Sequence, residues 1–424
     1  MFILFGTLVV LLLIGFPVAF ALIGASLAYI VMESHLPMVV VLHRTIGGID
    51  SFTLLAVPFF ILAGNLMNHA GITDRIFDFA KAMVGWMRGG LGHVNVGASV
   101  LFAGMSGAAV ADAGGLGTIE VKAMRDAGYD NDFAVGLTAA SSTIGPLIPP
   151  SLPLVVYGVS SSASIGQLFA AGLIPGFLMA ISLMAMVTYY AHVRGYGRDT
   201  VFSLMILRST FFRAFLSLLT PVILVGGILG GLFTPTEAAV VASAYALFLG
   251  VVVYRTLNLQ KLWQISRETI ETTAVVLLIV GAASIFSWIL TINGVPSALA
   301  TMILGQTESV FLILLLLNLL LLGVGIVMEP VAAITILTPV LLPIATALGI
   351  DPVHFGIIMV LNLMIGLLTP PVGMVLYVLA RVTDTSFEAV VRATVPFLIP
   401  LVGVLILVTY VPALSMWLPT LLYR

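Results

Sequence analysis

The sequence predicts an all-α polytopic membrane protein built from inverted-topology repeats, with two re-entrant helical hairpins and two broken helices. Three observations carry that expectation. Hydrophobic residues make up 61% of the 424 residues and charged residues only 8%, against roughly a quarter charged in soluble domains. The basic residues collect in alternate loops between apolar stretches. The two halves share landmarks at an offset of about 221 residues.

A helix crossing a bilayer needs about 20 apolar residues. Such runs occur at 2–31, 52–70, 165–190, 216–232, 236–254, 270–291 and 394–418. The first exceeds the roughly 7–15-residue apolar core of a cleavable leader and lacks a basic start, so it is expected to be an anchor and first span. Two further spans, 132–160 and 353–380, are interrupted by Pro149-Pro150 and Pro370-Pro371. The stretches 91–125 and 309–349 are apolar but broken in the middle, at 104–107 and 323–330. Halves of about 15–18 residues reach only about 22–27 Å. A hairpin that enters and leaves on one side suits them better than two crossings.

Basic residues favour the cytoplasmic side. With the N-terminus inside and both hairpins re-entrant, every Lys and Arg except Arg44 and Arg424 falls inside. The outer loops 160–165, 233–236 and 292–308 carry none. Reading either hairpin as a full crossing scrambles this pattern. The C-terminus is then expected outside. Two amphipathic stretches, 75–88 and 199–215, are expected to lie on the bilayer surface or to contact a partner subunit.

The repeat aligns Gly128-Tyr129-Asp130 with Gly349-Ile350-Asp351, Gly145 to Pro150 with Gly366 to Pro371, and Pro175 with Pro396. Gly71-Ile72 matches Gly294-Val295 with a two-residue drift. On the charge-derived topology the hairpins open to opposite sides, so the repeats are inverted. Inverted repeats with broken helices place a solute site near the bilayer midplane.

Proline has no N–H, so Pro149 and Pro370 leave the Gly145 and Gly366 carbonyls without their helical donors, and Pro150 and Pro371 do the same for Pro146 and Leu367. Freed carbonyls and hydroxyls are hard oxygen ligands, and Na⁺ is the natural candidate. One site is expected per repeat: Ala103, Ser106, Gly145, Ile148 and Pro150 in the first, Gly325, Gly366, Thr369 and Val372 in the second. Ser106, Ser151, Asp112 and Glu329 are the candidate solute contacts. Glu329, beside Pro330, is open to two roles, cation ligand or solute contact. Asp112 is open between function and structural pairing. Glu120 reads as a solvated partner of Lys122, and Glu237 as the acidic first turn of a helix after Thr234.

No cysteine is present, which excludes disulfide and thiolate chemistry, and a net charge of −2 gives no reason to expect nucleic acid. The six histidines, among them His35, are scattered without a metal-like spacing. No catalytic pair sits at matched depth, so an enzyme is not expected.

Several motifs carry a family resemblance: Phe16-Pro-Val-Ala-Phe20, Pro58 to Asn65, Ser106 to Asp112, Ala140 to Ser151 and Gly366 to Gly373. From about residue 10 to 415 the chain resembles the large membrane (M) subunit of tripartite ATP-independent periplasmic (TRAP) transporters, in the ion transporter superfamily. More distantly, its hairpin-and-break plan is similar to divalent anion/sodium symporters. The family pattern often has Ser where Ala108 stands.

The resemblance implies Na⁺-coupled uptake of an organic acid (a C4-dicarboxylate, sialic acid or a similar carboxylate) by an elevator in which a transport domain moves past a scaffold. It also implies two partners on separate chains, a small four-helix membrane subunit (Q-type) and a periplasmic substrate-binding protein (P-type), and a place in the bacterial or archaeal inner membrane. The expected divisions are 1–51 as N-terminal span and outer loop of the scaffold, 52–190 as repeat 1, 191–269 as connecting arm and scaffold helices, and 270–418 as repeat 2. The alternative is a stand-alone Na⁺/organic-anion symporter that needs no binding protein. An ion channel would show flux without Na⁺ coupling.

Overall fold

A computed structural model of the chain describes residues 1–33, 37–305 and 309–423. His35 and Arg424 lie outside the described residues, as does the side chain of Ser106. The described residues are almost entirely helical, and eight helices among them are long and apolar enough to cross a membrane. Helix is what such a sequence must form in lipid, where each backbone N–H and C=O needs a partner within its own segment.

The chain opens with α1 (Phe2–Leu13), α2 (Val18–Glu33) and α3 (Val39–Ile49), then α4 (Ala56–His69) and α5 (Ile72–Val84). The single span expected over 2–31 is therefore two helices. Gly15 takes a left-handed φ of +93° and Pro17 has no N–H to donate, so the helix ends and restarts. α1 and α2 fold against each other, and Leu11 of one packs close over Gly24 of the other. The expected outer loop before residue 52 contains α3, which packs on the long helix described below as α14.

The first hairpin is α6 (Gly90–Ser106) followed by α7 (Ala109–Gly114) and α8 (Leu116–Asp126). The first broken helix is α9 (Asn131–Ser142) and α10 (Leu152–Ser161), and α11 (Ile165–Val193) completes the repeat. Next come α12 (Leu204–Leu229) and α13 (Pro235–Phe248), the latter opened by a Thr234–Glu237 capping box as its sequence suggests. In the second half, α14 (Leu259–Ile292) and α15 (Val295–Leu304) precede the hairpin of α16 (Val310–Val327) and α17 (Pro330–Ala347). The second broken helix is α18 (Pro352–Gly366) and α19 (Met374–Val382), followed by α20 (Phe387–Tyr410) and α21 (Ala413–Leu422).

The two amphipathic stretches are held to the helices beside them, with Phe202, Met205, Phe212 and Phe215 left exposed. α5 packs on α6 and α12, with Ile76 and Phe77 buried and Phe79 against the Phe211 ring. Residues 204–215 continue without a break into the next span as α12. The apolar faces that suggested a bilayer surface are partly spent on helix packing.

The repeat is visible in backbone detail. Gly71 and Gly294, at φ +70° and +66°, start α5 and α15. Gly128 and Gly349, at +83° and +75°, end the two hairpins. Both double prolines contain a cis peptide bond, and Pro175 and Pro396 sit inside α11 and α20.

The hand of the repeat follows from contacts at the two ends. At one end the Leu91 N–H donates to Asp199 at 2.8 Å, Arg125 to Asn131 at 2.6 Å and to Thr385 at 2.9 Å. There Arg194 reaches Asp132 with both guanidinium nitrogens at 2.8 Å and Asp130 at 2.9 Å. The bond to Asp132 raises the Arg194 guanidinium further above its ordinary range. Burial, with Asp199 beside it, pushes the Tyr129 phenol up. At the other end Tyr410 donates to the Phe311 carbonyl at 3.1 Å, Tyr157 to the Pro352 carbonyl at 2.6 Å, and His354 meets Ser415 at 2.6 Å. The first hairpin opens at the basic end, the second at the opposite one.

Candidate functional site

Both hairpins present their tips to the break of their own repeat. In the first, α6 runs parallel to α9 (Gly92 against Phe133, Asn95 bonded to Ser141) while α8 returns antiparallel. In the second, α16 runs parallel to α18, with Asn318 bonded to Asn362 and Gly325 against Gly366, and Thr338 of α17 meets Met359 on the way back.

The tips touch the breaks with no room for a side chain. A Cβ on Gly107, which also needs its φ of +60°, would stand 2.2 Å from the Pro150 carbonyl oxygen. A Cβ on Gly366 would stand 2.4 Å from the Gly325 carbonyl carbon. Real contacts are well beyond 3 Å, so glycine is what allows backbone to meet backbone. The first break is also backed by α11, where Gly172 lies against the Leu147 carbonyl and Gly176 against Ile148.

Of the expected first cation set, Pro150 meets the tip at Gly107. Ala103, Gly145, Ile148 and Pro150 are all buried. Among the described residues, no backbone N–H donates to the Gly145, Ile148 or Pro150 carbonyl. The Pro146 carbonyl, freed by Pro150, is different: the Ser151 hydroxyl donates to it, and the same hydroxyl accepts from the Leu154 N–H to cap α10. Ser151 thus closes the break from within.

Of the second set, Gly325, Gly366 and Thr369 are in contact, and this break is more open. Gly325 and Gly366 are buried, Thr369 and Val372 half-buried, Pro370 and Pro371 exposed. The Gly366 carbonyl is not free as the proline arithmetic suggested. The turn after α18 lets the Thr369 N–H donate to it at 3.0 Å, and the Thr369 hydroxyl donates to the Ile365 carbonyl. A carbonyl has two lone pairs, so Gly366 keeps one for another partner.

A cavity of about 270 Å³ lies between the first tip and break on one side and α4 and α14 on the other. Gly107, Ala108, Pro150 and Leu152 form one wall; Phe60, Asn65, Asn68 and Thr272 stand across from them. Asn65 is held by a 3.0 Å bond to Thr269. Ser151, Asp112 and Glu329 do not line this cavity. Glu329 is half-buried at the second tip, where its carboxylate accepts from the Ala332 N–H at 3.1 Å and caps α17. Asp112 is buried in α7. The Asn65 and Asn68 amides were not singled out from sequence, although polar groups inside an apolar span are the usual mark of a site.

Glu120 is not a solvated partner of Lys122. It is 1% exposed and accepts from the Asn95 amide at 2.7 Å. It lies on the face of α8 that packs on α6, while Lys122 points to the exposed face.

Residues 5–414 match the family described as the DctM component of the tripartite ATP-independent periplasmic transporter. The chain is 54% identical to the sialic acid TRAP transporter large permease protein SiaM of Vibrio cholerae, over 97% of this chain and 96% of that one. It is 38% identical to the C4-dicarboxylate TRAP transporter large permease protein DctM of Rhodobacter capsulatus, covering 99% of each. In fold it is similar to the crystal structure of the Alcanivorax borkumensis YdaH transporter, with a TM-score of 0.60 over 88% of both chains at 16% identity. A multi-pass helical chain with paired hairpin tips and breaks, matched to these permeases along nearly its whole length, belongs to the DctM family of large TRAP transporter permeases.

Proposed function

We propose that the chain is the membrane-crossing subunit of a Na⁺-coupled importer of an organic acid, fed by a periplasmic binding protein and completed by a small membrane subunit. The observation that carries the transport reading is the duplicated meeting of tip and break, Gly107 on Pro150 and Gly325 on Gly366. Na⁺ at each meeting would hold the tip closed on its break. Ala103, Ser106, Gly145, Ile148 and Pro150 would serve the first ion, and Gly325, Gly366, Thr369 and Val372 the second. Backbone oxygens suit Na⁺ without adding charge at membrane depth.

The cavity across from the first tip is the proposed solute seat. It has no Lys or Arg in its lining, so a carboxylate would rely on the Asn65 and Asn68 amides and the bound Na⁺, with Ser106 the further solute contact that the sequence suggests. The cavity divides the elevator: hairpins and broken helices move, with α4, α12, α13 and α14 as the fixed wall. The cytoplasm would lie at the basic end, with the N-terminus inside and the C-terminus outside. Relatives named for sialic acid and C4-dicarboxylates make an acidic sugar the first solute to try and a dicarboxylate the second.

The test is uptake into liposomes under an inward Na⁺ gradient, with the small subunit present and candidate binding proteins added. Uptake that needs both the gradient and the binding protein supports the reading. Uptake with no binding protein would favour a stand-alone symporter. If Ser106→Ala and Gly366→Ala both left Na⁺-dependent uptake intact, the assignment of the tips would be wrong.

A further inference from the structure

The first hairpin holds two carboxylic acids that the Na⁺ and solute sites do not use. Asp112 on α7 and Glu120 on α8 are each 1% exposed. They face α6, where Ser99 lies opposite Asp112 and Asn95 opposite Glu120, one helical turn apart. The two carboxyl groups are within Coulombic reach of each other. Asn95 gives one amide hydrogen to Glu120 and one to Thr138, and its oxygen accepts from Ser141. Its donors are then exhausted.

Asp112 Oδ2, Glu120 Oε1 and the Ser99 hydroxyl, on a residue with no exposed surface, make no hydrogen bond of good geometry, and Ser99 is the one donor close enough to turn to Asp112. No ion pair reaches either acid among the described residues. The ionisable groups on the surrounding elements are engaged elsewhere or exposed. On α6, His93 meets Thr188 of α11. On α8, Lys122, Arg125 and Asp126 are exposed. On α9, Asp132 binds Arg194. On α19, Tyr377 stacks on Phe387 and Arg381 is exposed. On α4, His69 bonds the Asn65 carbonyl beside Glu268.

Two ionised carboxylates in such a place would repel each other with only the Asn95 amide on Glu120 and the Ser99 hydroxyl near Asp112 to set against two buried charges, a cost of several kcal/mol. A single proton removes one of the two charges and gives the acid that holds it a donor of its own. We propose that Asp112 and Glu120 form a proton-binding pair inside the first hairpin, which keeps one of its two acids protonated and carries that proton with the hairpin. This inference rests on the hairpin's packing and not on the Na⁺ assignment.

Infrared spectroscopy of the full chain in lipid at near-neutral pH tests it directly, because a protonated carboxyl has a C=O stretch that a carboxylate lacks. The expected result is that the double variant Asp112→Asn/Glu120→Gln loses one carboxyl's worth of that band. An unchanged band overturns the proposal, since the pair is then ionised or cation-bound. Amides mimic the protonated acids in shape, so the variant is expected to fold, with helical content and melting checked alongside. Should it not fold, the single variants carry the same test. A shifted protonated-carboxyl stretch in both supports the pair, because each variant changes what surrounds the remaining acid, and an unmoved band in both refutes it. Neither readout depends on transport, so failure here is distinct from failure of the uptake experiment.

Discussion

Asn362 donates to the Asn318 side-chain oxygen at 2.6 Å, at the place where Ser141 donates to Asn95 at 2.8 Å in the other repeat. Each bond ties a hairpin's first limb to the helix leading into its break. Each lies in the buried interior, where a polar pair without alternatives fixes register. Hairpin and broken helix are thereby joined as one body in both halves, which is what a moving unit requires.

Replacing Asn318 by Leu should loosen that union. It leaves the Asn362 amide without this acceptor and disturbs the bond from Asn318 to Thr409. The expected cost is about 1–3 kcal/mol, read as a lower melting temperature in lipid or detergent. A melting point equal to the parent's would mean that the bond is not part of what holds the second hairpin.

Gly366→Ala is expected to separate the second tip from its break. Its Cβ would meet the Gly325 backbone at 2.4–2.6 Å, with no flexible side chain to give way. Overpacking of this kind costs about 1–3 kcal/mol, and Na⁺-dependent uptake should fall well below half. Gly349→Ala is the matched control. It faces open space and bears only the strain of φ +75°, roughly 1–2 kcal/mol, and should transport.

Asn65→Ala should weaken solute recognition while sparing the cation sites. One amide hydrogen bond lost is about 1 kcal/mol, so KM for the solute should rise several-fold with the Na⁺ dependence unchanged. Uptake kinetics at varied solute and Na⁺ separate the two effects. A shift in Na⁺ dependence instead would place Asn65 at the ion.

Ser151→Ala removes the cap of α10 and the hydroxyl on the Pro146 carbonyl together. Loss of such a cap costs about 1 kcal/mol. Lower Na⁺ affinity with modest loss of stability is expected, measured by Na⁺ titration of melting. Unaltered Na⁺ protection would separate this serine from the first ion.

Arg194→Ala should release the clamp on Asp130 and Asp132 at the basic end. Arg194 is partly exposed and the two acids more so, so the cost is about 1 kcal/mol. Arg194→Lys should recover only part of it, because a single ammonium cannot make the two parallel bonds to Asp132. Thermal melting of the two variants orders them.

Much of the architecture was legible because lipid imposes simple rules. Apolar length, basic loops and proline breaks gave both hairpins, both broken helices and their opposed openings, since each follows from local chemistry along the chain. The site was legible to the level of which segments meet. Gly145 to Pro150 and Gly366 to Pro371 could be picked out because missing N–H groups are visible in sequence. What failed were statements about partners across space. Glu120 looked solvated because Lys122 is its neighbour in sequence, yet the facing helix supplies Asn95. The Gly366 carbonyl looked free because helical geometry was assumed, yet a turn returns the Thr369 N–H to it.

The sequence by itself therefore determined the hairpins, the broken helices and the repeat, which depend on composition and on residues a few positions apart. The tertiary structure alone decided that Gly107 rests on Pro150 and Gly325 on Gly366, that Asn65 faces the first tip across a cavity, and that Asp112 and Glu120 share a buried face. Those contacts depend on how helices distant in the chain pack, and one-residue patterns carry no record of which surface a side chain will meet.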